Sequence, residues 1–178
     1  PAQHLGAAFE RVTLPLLPPP GRAELLRELE GYEAAVDGAR RRGADAATIN
    51  PLDYHVAWAE RCLARLDAGE VIEAVVEAPV QALRLHDLAV STLPGEPFNE
   101  FAIAFEAAGL APHSLLLGYS NGYVSYFATE AEYPFGGYEP GYAHHNTTML
   151  SGLHPDVEGL LVACSVELSR QLFEGGAA

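Results

Sequence analysis

"VIEAVVEAPVQALRLHDLAVSTLPGEPFNEFAIAFEAAG", Val71 to Gly109, changes its hydrophobic period halfway along. Val71, Glu73, Val75 and Glu77 alternate with apolar neighbours, and Leu83, Leu85 and Leu88 follow with His86-Asp87 between them. A period of two means strands, so Val71–Gly95 predicts two or three short ones with a turn at His86-Asp87. From Phe98 the spacing becomes helical. Phe98, Phe101, Ala102 and Phe105 share one face, and Gly109 stops the pattern. Glu96 follows a Pro-Gly turn at the junction, and Pro97 suits a first helical position, which places Glu96 near an N-cap. A carboxylate there is held ionised by the helix dipole and free N–H groups, a state equally suited to a plain cap, a metal ligand or a base.

The same reading extends outward. Arg11–Gly21 begins strand-like and ends in Pro18, Pro19 and Pro20, which cannot donate ladder bonds. Leu25, Leu26, Leu29, Tyr32 and Val36 mark a helix closed by Gly43, with Arg40, Arg41 and Arg42 complementing the dipole of its last turn. A second helix starts at Asn50-Pro51, carries Val56, Ala59, Leu63 and Leu66 inward, and ends at Gly69. "SLLLGYSNG" reads as a buried strand and a turn, and "YVSYF" as a short strand leaving it. Thr129–Ser151 is rich in Gly, Tyr, Pro and His, and such long irregular segments carry function. A last helix runs from Asp156 to Phe173 with Val157, Leu160, Leu161, Cys164 and Leu168 inward. The order β-α-α-β-β-β-α-β-β-α predicts a mixed α/β (α+β) domain, a mixed β-sheet layered with helices, over residues 1–178.

Bulk composition excludes several functions. The 178 residues carry a net charge of −14, and every basic residue is Arg. So acidic a chain suits neither a nucleic-acid nor an anionic-membrane surface. No apolar run approaches the roughly 20 residues of a membrane span. Cys62 and Cys164 fall on apolar helix faces and read as buried free thiols, not a disulfide framework. The chain opens at Pro1 without Met, which leaves export and cytoplasm both open.

Gly118–Gly122, G-Y-S-N-G, matches the G-x-S-x-G pattern of serine hydrolases. That pattern needs a helix after the turn, whereas Tyr123–Phe127 alternates like a strand. Ser120 therefore reads first as a turn hydroxyl and second as a nucleophile.

A wider pattern is more specific. Pro94-Gly95-Glu96 is followed by Asn121, Tyr123, Tyr126, Thr129, Glu132-Tyr133 and Tyr138-Glu139, spaced N-x-Y-x-x-Y-x-x-T-x-x-E-Y-x(4)-Y-E. This run resembles the neutral/alkaline (non-lysosomal) ceramidase family over Val71–Glu139. The resemblance implies a zinc-dependent amidohydrolase acting on linear amides of N-acyl lipids, with this chain as the C-terminal part of a larger catalytic domain. It implies Glu96 and Tyr126 as zinc ligands and Tyr138 as the donor to the oxyanion. Asn121, Tyr123, His144 and His145 are candidate substrate contacts, although an adjacent His pair in a loop reads first as solvent-exposed. His4, His55 and His86 match no histidine motif of the family. Two histidine ligands are thus expected from a missing N-terminal half or a companion chain. A non-catalytic partner domain with an incomplete metal site is the third reading.

Overall fold

The computed structural model describes residues 4–174. Strand β1 (Leu5–Pro15) pairs antiparallel along its whole length with β2 (Val75–Leu85), from Leu5 opposite Leu85 to Pro15 opposite Val75. A tight turn at His86-Asp87, with His86 at φ 60°, leads into β3 (Leu88–Thr92), antiparallel to β2. Beyond it come β4 (Glu96–Pro97), helix α3 (Asn99–Ala107) and β5 (His113–Leu117). Strand β5 returns parallel to β3, giving a four-stranded mixed sheet in the order β1-β2-β3-β5. Strand β6 (Tyr126–Phe127) makes a separate parallel pair with β4. Helices α1 (Arg22–Arg41) and α2 (Ala46–Asp67) lie between β1 and β2 in sequence, and α4 (Val157–Glu174) closes the described chain. The fold is α/β with a mixed sheet, as the change of period predicts.

Two compact units emerge. One contains the chain up to Pro15, Val75–Gly141, and the chain from Leu153 on; the other contains Leu16–Ala74 and Tyr142–Gly152. In the first unit, α4 packs across β1 and β2 while α3 packs on β5. Leu14, Ala78, Val80 and Ala82 alternate into this helix-covered face, and Phe101, Phe105 and Leu161 complete its fully buried core. Gly6 permits close helix packing, since a Cβ there would come within 3.1 Å of the Leu172 side chain. The opposite face is more open. Leu5, Phe9, Leu85, Leu115 and Leu117 are exposed there, one from every second residue of their strands.

The second unit is an αα-hairpin. Leu25, Trp58, Ala59, Cys62, Leu63 and Leu150 form its core. Gly43 (φ 70°) ends α1, with the Ala44 N–H bonded back to Ala39 O, the glycine cap expected there.

Several boundaries differ from the sequence reading: β1 begins at Leu5 and not Arg11, and β6 takes only Tyr126–Phe127 of the stretch Tyr123–Phe127. Helix α2 starts at Ala46, because the Asp45 side chain accepts the Thr48 N–H at 3.0 Å and caps it; Pro51 is tolerated inside. Strand β2 starts at Val75, not Val71. The Arg65 guanidinium instead binds Glu70, Glu73 and the Val71 carbonyl, holding that stretch out of the sheet. Glu96 and Pro97 form a strand, and the N-cap of α3 is Phe98. The ladder prevails over the helix here. Glu96 N–H donates to Ser125 O and Phe98 N–H to Phe127 O, both at 3.0 Å.

Candidate active site

Two glycines let the Pro94-Gly95 turn and the Gly118–Gly122 loop touch backbone to backbone. A Cβ on Gly118 would sit 2.8 Å from both Gly95 O and the Pro97 ring. A Cβ on Gly95 would collide with the Ser125 carbonyl and lie 2.7 Å from the Phe127 ring. Hydrogen bonds then lock the contact: Tyr119 N–H to Gly95 O at 2.8 Å, Ser120 N–H to Leu93 O at 3.1 Å, and Val124 N–H to Pro94 O at 2.6 Å. The Asn121 amide donates to Gln81 Oε1 and Thr92 Oγ1, both at 3.1 Å, tying the loop to β2 and β3. Asn121 thus anchors the loop. Tyr119, Asn121 and Gly122 all have positive φ, which marks a tightly wound loop.

This scaffold brings the carboxylate and the tyrosines together. Glu96 and Tyr126 are direct partners in the parallel β4–β6 register. Tyr123 Oη donates to Glu96 Oε1 at 2.9 Å, and Tyr119 and Tyr126 line the same cavity as the carboxylate. Burial pushes the Glu96 carboxyl up, but the hydrogen bonds from Tyr119, Tyr126 and Tyr123 outweigh it and hold the group below its ordinary value. The three tyrosines shift the opposite way. Tyr123 rises first by burial and then by its bond to Glu96, whereas for Tyr119 and Tyr126 the bond is the larger cause. Glu96 is therefore ionised through neighbouring hydroxyls, not through an N-cap. Tyr138 meets the Tyr126 ring edge-on at 5.6 Å. A cavity of about 380 Å³ opens beside the cluster, lined by Glu96, Phe98, Ala102, Leu116, Tyr119 and Tyr126.

Ser120 is turned to other work. Its Oγ donates to Gly118 O at 2.9 Å, and no helix follows the loop before the 3-10 turn at Glu130–Phe135.

His144 and His145 belong to the second unit, in a 3-10 turn over Ala143–Asn146. They are 9% and 4% exposed, not the solvent-facing pair their loop context suggests. His145 stacks on Trp58 at 3.7 Å, and its Nδ1 meets His55 Nδ1 at 2.7 Å. Burial and, after it, like-charged neighbours lower His144 to about 4 and His145 to about 3, so both imidazoles are neutral. Trp58, which the sequence did not single out, belongs to this cluster, as do His55, read only as a histidine outside any family motif, and Tyr32, read only as a helix-face residue and stacked on His55 at 5.1 Å. Spacing of aromatics on separate helices offered no signal for them.

Among the described residues, no three His, Cys, Asp or Glu side chains gather as a metal site. No described helix is long and apolar enough to cross a membrane. Cys62 and Cys164 are free thiols, both raised to about 11 chiefly by burial.

No family model matches the chain, and no curated protein matches it. Among solved structures it is similar to the neutral ceramidase from Pseudomonas aeruginosa, at 23% identity and a TM-score of 0.44. That match covers 58% of this chain and 16% of the ceramidase. It is also similar to a ceramidase complexed with C2, at 22% identity and a TM-score of 0.45 with the same coverage. The chain thus matches about a sixth of the length of these enzymes.

Proposed function

We propose that this chain supplies the carboxylate–tyrosine half of a zinc-dependent amidohydrolase site of the ceramidase type, acting on a linear amide of an N-acyl lipid. One observation carries the reading: Glu96 and Tyr126 stand side by side on parallel strands, beside a cavity, with the Tyr123 hydroxyl on the same carboxylate. The N-x-Y-x-x-Y run that made the sequence resemble the family is the run that builds this cluster.

The donor set fits half a zinc site. Glu96 and Tyr126 would hold the ion with two oxygens. The rest of the shell would come from two histidines outside the described residues, on another part of the protein or a companion chain. Bound zinc supplies a polarised carbonyl and an acidified water. The chain's own groups do the remainder. Tyr123 fixes the Glu96 carboxylate from Oε1. Tyr138, against Tyr126, donates its hydroxyl to the developing oxyanion. Asn121 holds the loop that presents these rings. His144 and His145, in the other unit, take no step in this reading.

Zinc content and amidase turnover of the intact protein test it. Glu96→Ala and Tyr126→Phe should lose the metal. Tyr138→Phe should keep it and lower turnover, because its hydroxyl acts on the transition state. Labelling of Ser120 by a fluorophosphonate would instead favour a serine hydrolase. Absence of both zinc and amidase activity from the intact protein would leave a non-catalytic partner domain.

A further inference from the structure

The sheet order leaves β5 as an edge strand, and its ladder with β3 fixes which way its backbone points. His113 N–H donates to Asp87 O at 3.2 Å, and Leu117 O accepts the Leu93 N–H at 2.8 Å. Backbone groups alternate sides along a strand. His113, Leu115 and Leu117 therefore face β3, and Ser114 and Leu116 turn their N–H and C=O groups outward. Among the described residues, no hydrogen bond reaches those outward groups. Open space lies beside both: Ser114 lines a cavity of about 660 Å³, and Leu116 lines the one of about 380 Å³.

Free edges are ordinarily blunted by charge, proline or a bulge. The opposite edge is guarded in this way, since β1 carries Glu10, Arg11 and Pro15. Strand β5, His-Ser-Leu-Leu-Leu, has no acidic residue, Lys, Arg or Pro. Leu115 and Leu117 stay 48% and 44% exposed on the open face of the sheet. In a chain of net charge −14, this charge-free edge is where two copies meet with least repulsion.

We propose that β5 is a docking edge for a second copy of this chain, the two β5 strands pairing antiparallel about a two-fold axis at Leu115. The outward groups dictate this register. Ser114 of one copy and Leu116 of the other exchange both N–H···O bonds, and the symmetry repeats the exchange on the other side of the axis. Leu115 then meets its own counterpart at the closer, non-hydrogen-bonded spacing, where cross-strand side chains touch. The contact is isologous and uses up the edge on both copies, so it closes at a dimer. Five residues a side make a small interface, so association is weak and concentration-dependent.

Sedimentation of the full chain from about 1 μM to 1 mM reads the association. The wild type should pass from monomer to dimer and no further. As it does, the Ser114 and Leu116 amides should gain protection from hydrogen exchange, while the amides facing β3 are protected throughout. Ser114→Pro deletes an outward N–H and spares the β3 ladder. Leu115→Lys sets like charges opposite each other from an exposed position. Each should weaken the dimer by at least about 10-fold, with the thermal midpoint of dilute Leu115→Lys unchanged. An equimolar mixture of Leu115→Lys and Leu115→Glu should restore it, because only this register places residue 115 opposite itself. If Ser114→Pro fails to fold, the two Leu115 variants decide alone. A chain monomeric at every concentration would overturn the proposal. So would a dimer indifferent to Leu115→Lys, a Lys/Glu mixture that stays monomeric, or growth beyond the dimer.

Discussion

His145 shows how one buried side chain sets a pH dependence. It lies flat on Trp58 and shares a short Nδ1–Nδ1 contact with His55, so one ring donates and the other must stay neutral to accept. Protonating both would break this bond and charge a buried stack. Burial, His144, His55 and the Arg61 guanidinium therefore lower His145 to about 3, and burial and His55 lower His144 to about 4. The unfolded chain binds these protons near pH 6.5, while the folded chain refuses them until far lower. The contribution of these two histidines to stability is accordingly level above pH 6.5. It falls as the pH drops from 6.5 toward 4, at up to about 1.4 kcal/mol per pH unit for each depressed histidine. Urea unfolding at pH 7 and pH 5 should show this loss, and His145→Phe should reduce the slope by about one proton. An equal slope in the variant would locate the pH dependence elsewhere.

At the scale of elements, the site depends on a two-residue parallel pair that would not survive in isolation. Strands β4 and β6 hold Glu96 opposite Tyr126 only because Gly95 and Gly118 let two loops meet without side chains between them. Gly95→Ala would drive a Cβ into Ser125 O and the fully buried Phe127 ring, which also meets Phe101 at 6.4 Å. Overpacking of this kind costs about 1–3 kcal/mol. The variant should show a lowered thermal midpoint and loss of the Tyr123–Glu96 hydrogen bond by NMR; a bond left intact would show that the pair tolerates separation. These elements also show what the sequence could and could not reveal. The β2–β3 turn at His86-Asp87 and helix α3 were legible, because alternation and helical period are local signals. The pairing of Glu96 with Tyr126 was not, because a ladder between residues thirty apart leaves no periodic trace, and a proline after Glu96 favours a helix start equally well. Glu96 as an ionised carboxylate was legible for the wrong reason: hydroxyls do what the helix terminus was expected to do. The burial of His144 and His145 was hidden too, since Trp58, which covers them, is far away in sequence.

For the whole molecule, the pairing of β1 with β2 makes a strong prediction. Pro15 lies opposite Val75, so the helical hairpin of the second unit leaves and re-enters the sheet where a two-residue turn would suffice. The first unit has its own buried core, with Leu14, Val80, Phe101, Phe105, Phe127 and Leu161. Glu96, Tyr119, Tyr123, Tyr126 and Tyr138 all belong to it. Replacing residues 16–74 by Asn-Gly and 142–152 by a short Gly/Ser linker should therefore leave a protein that unfolds in one cooperative transition and keeps the Tyr123–Glu96 bond. A shortened chain that stays unfolded would show that the helical unit is needed to complete the sheet's fold. If it folds, it also separates the two groups of candidate residues, because His144 and His145 leave with the helical unit. Zinc-supported turnover that persists when the shortened chain replaces the full one would make the two histidines dispensable. Turnover lost with the Glu96 cluster intact would return them to the chemistry.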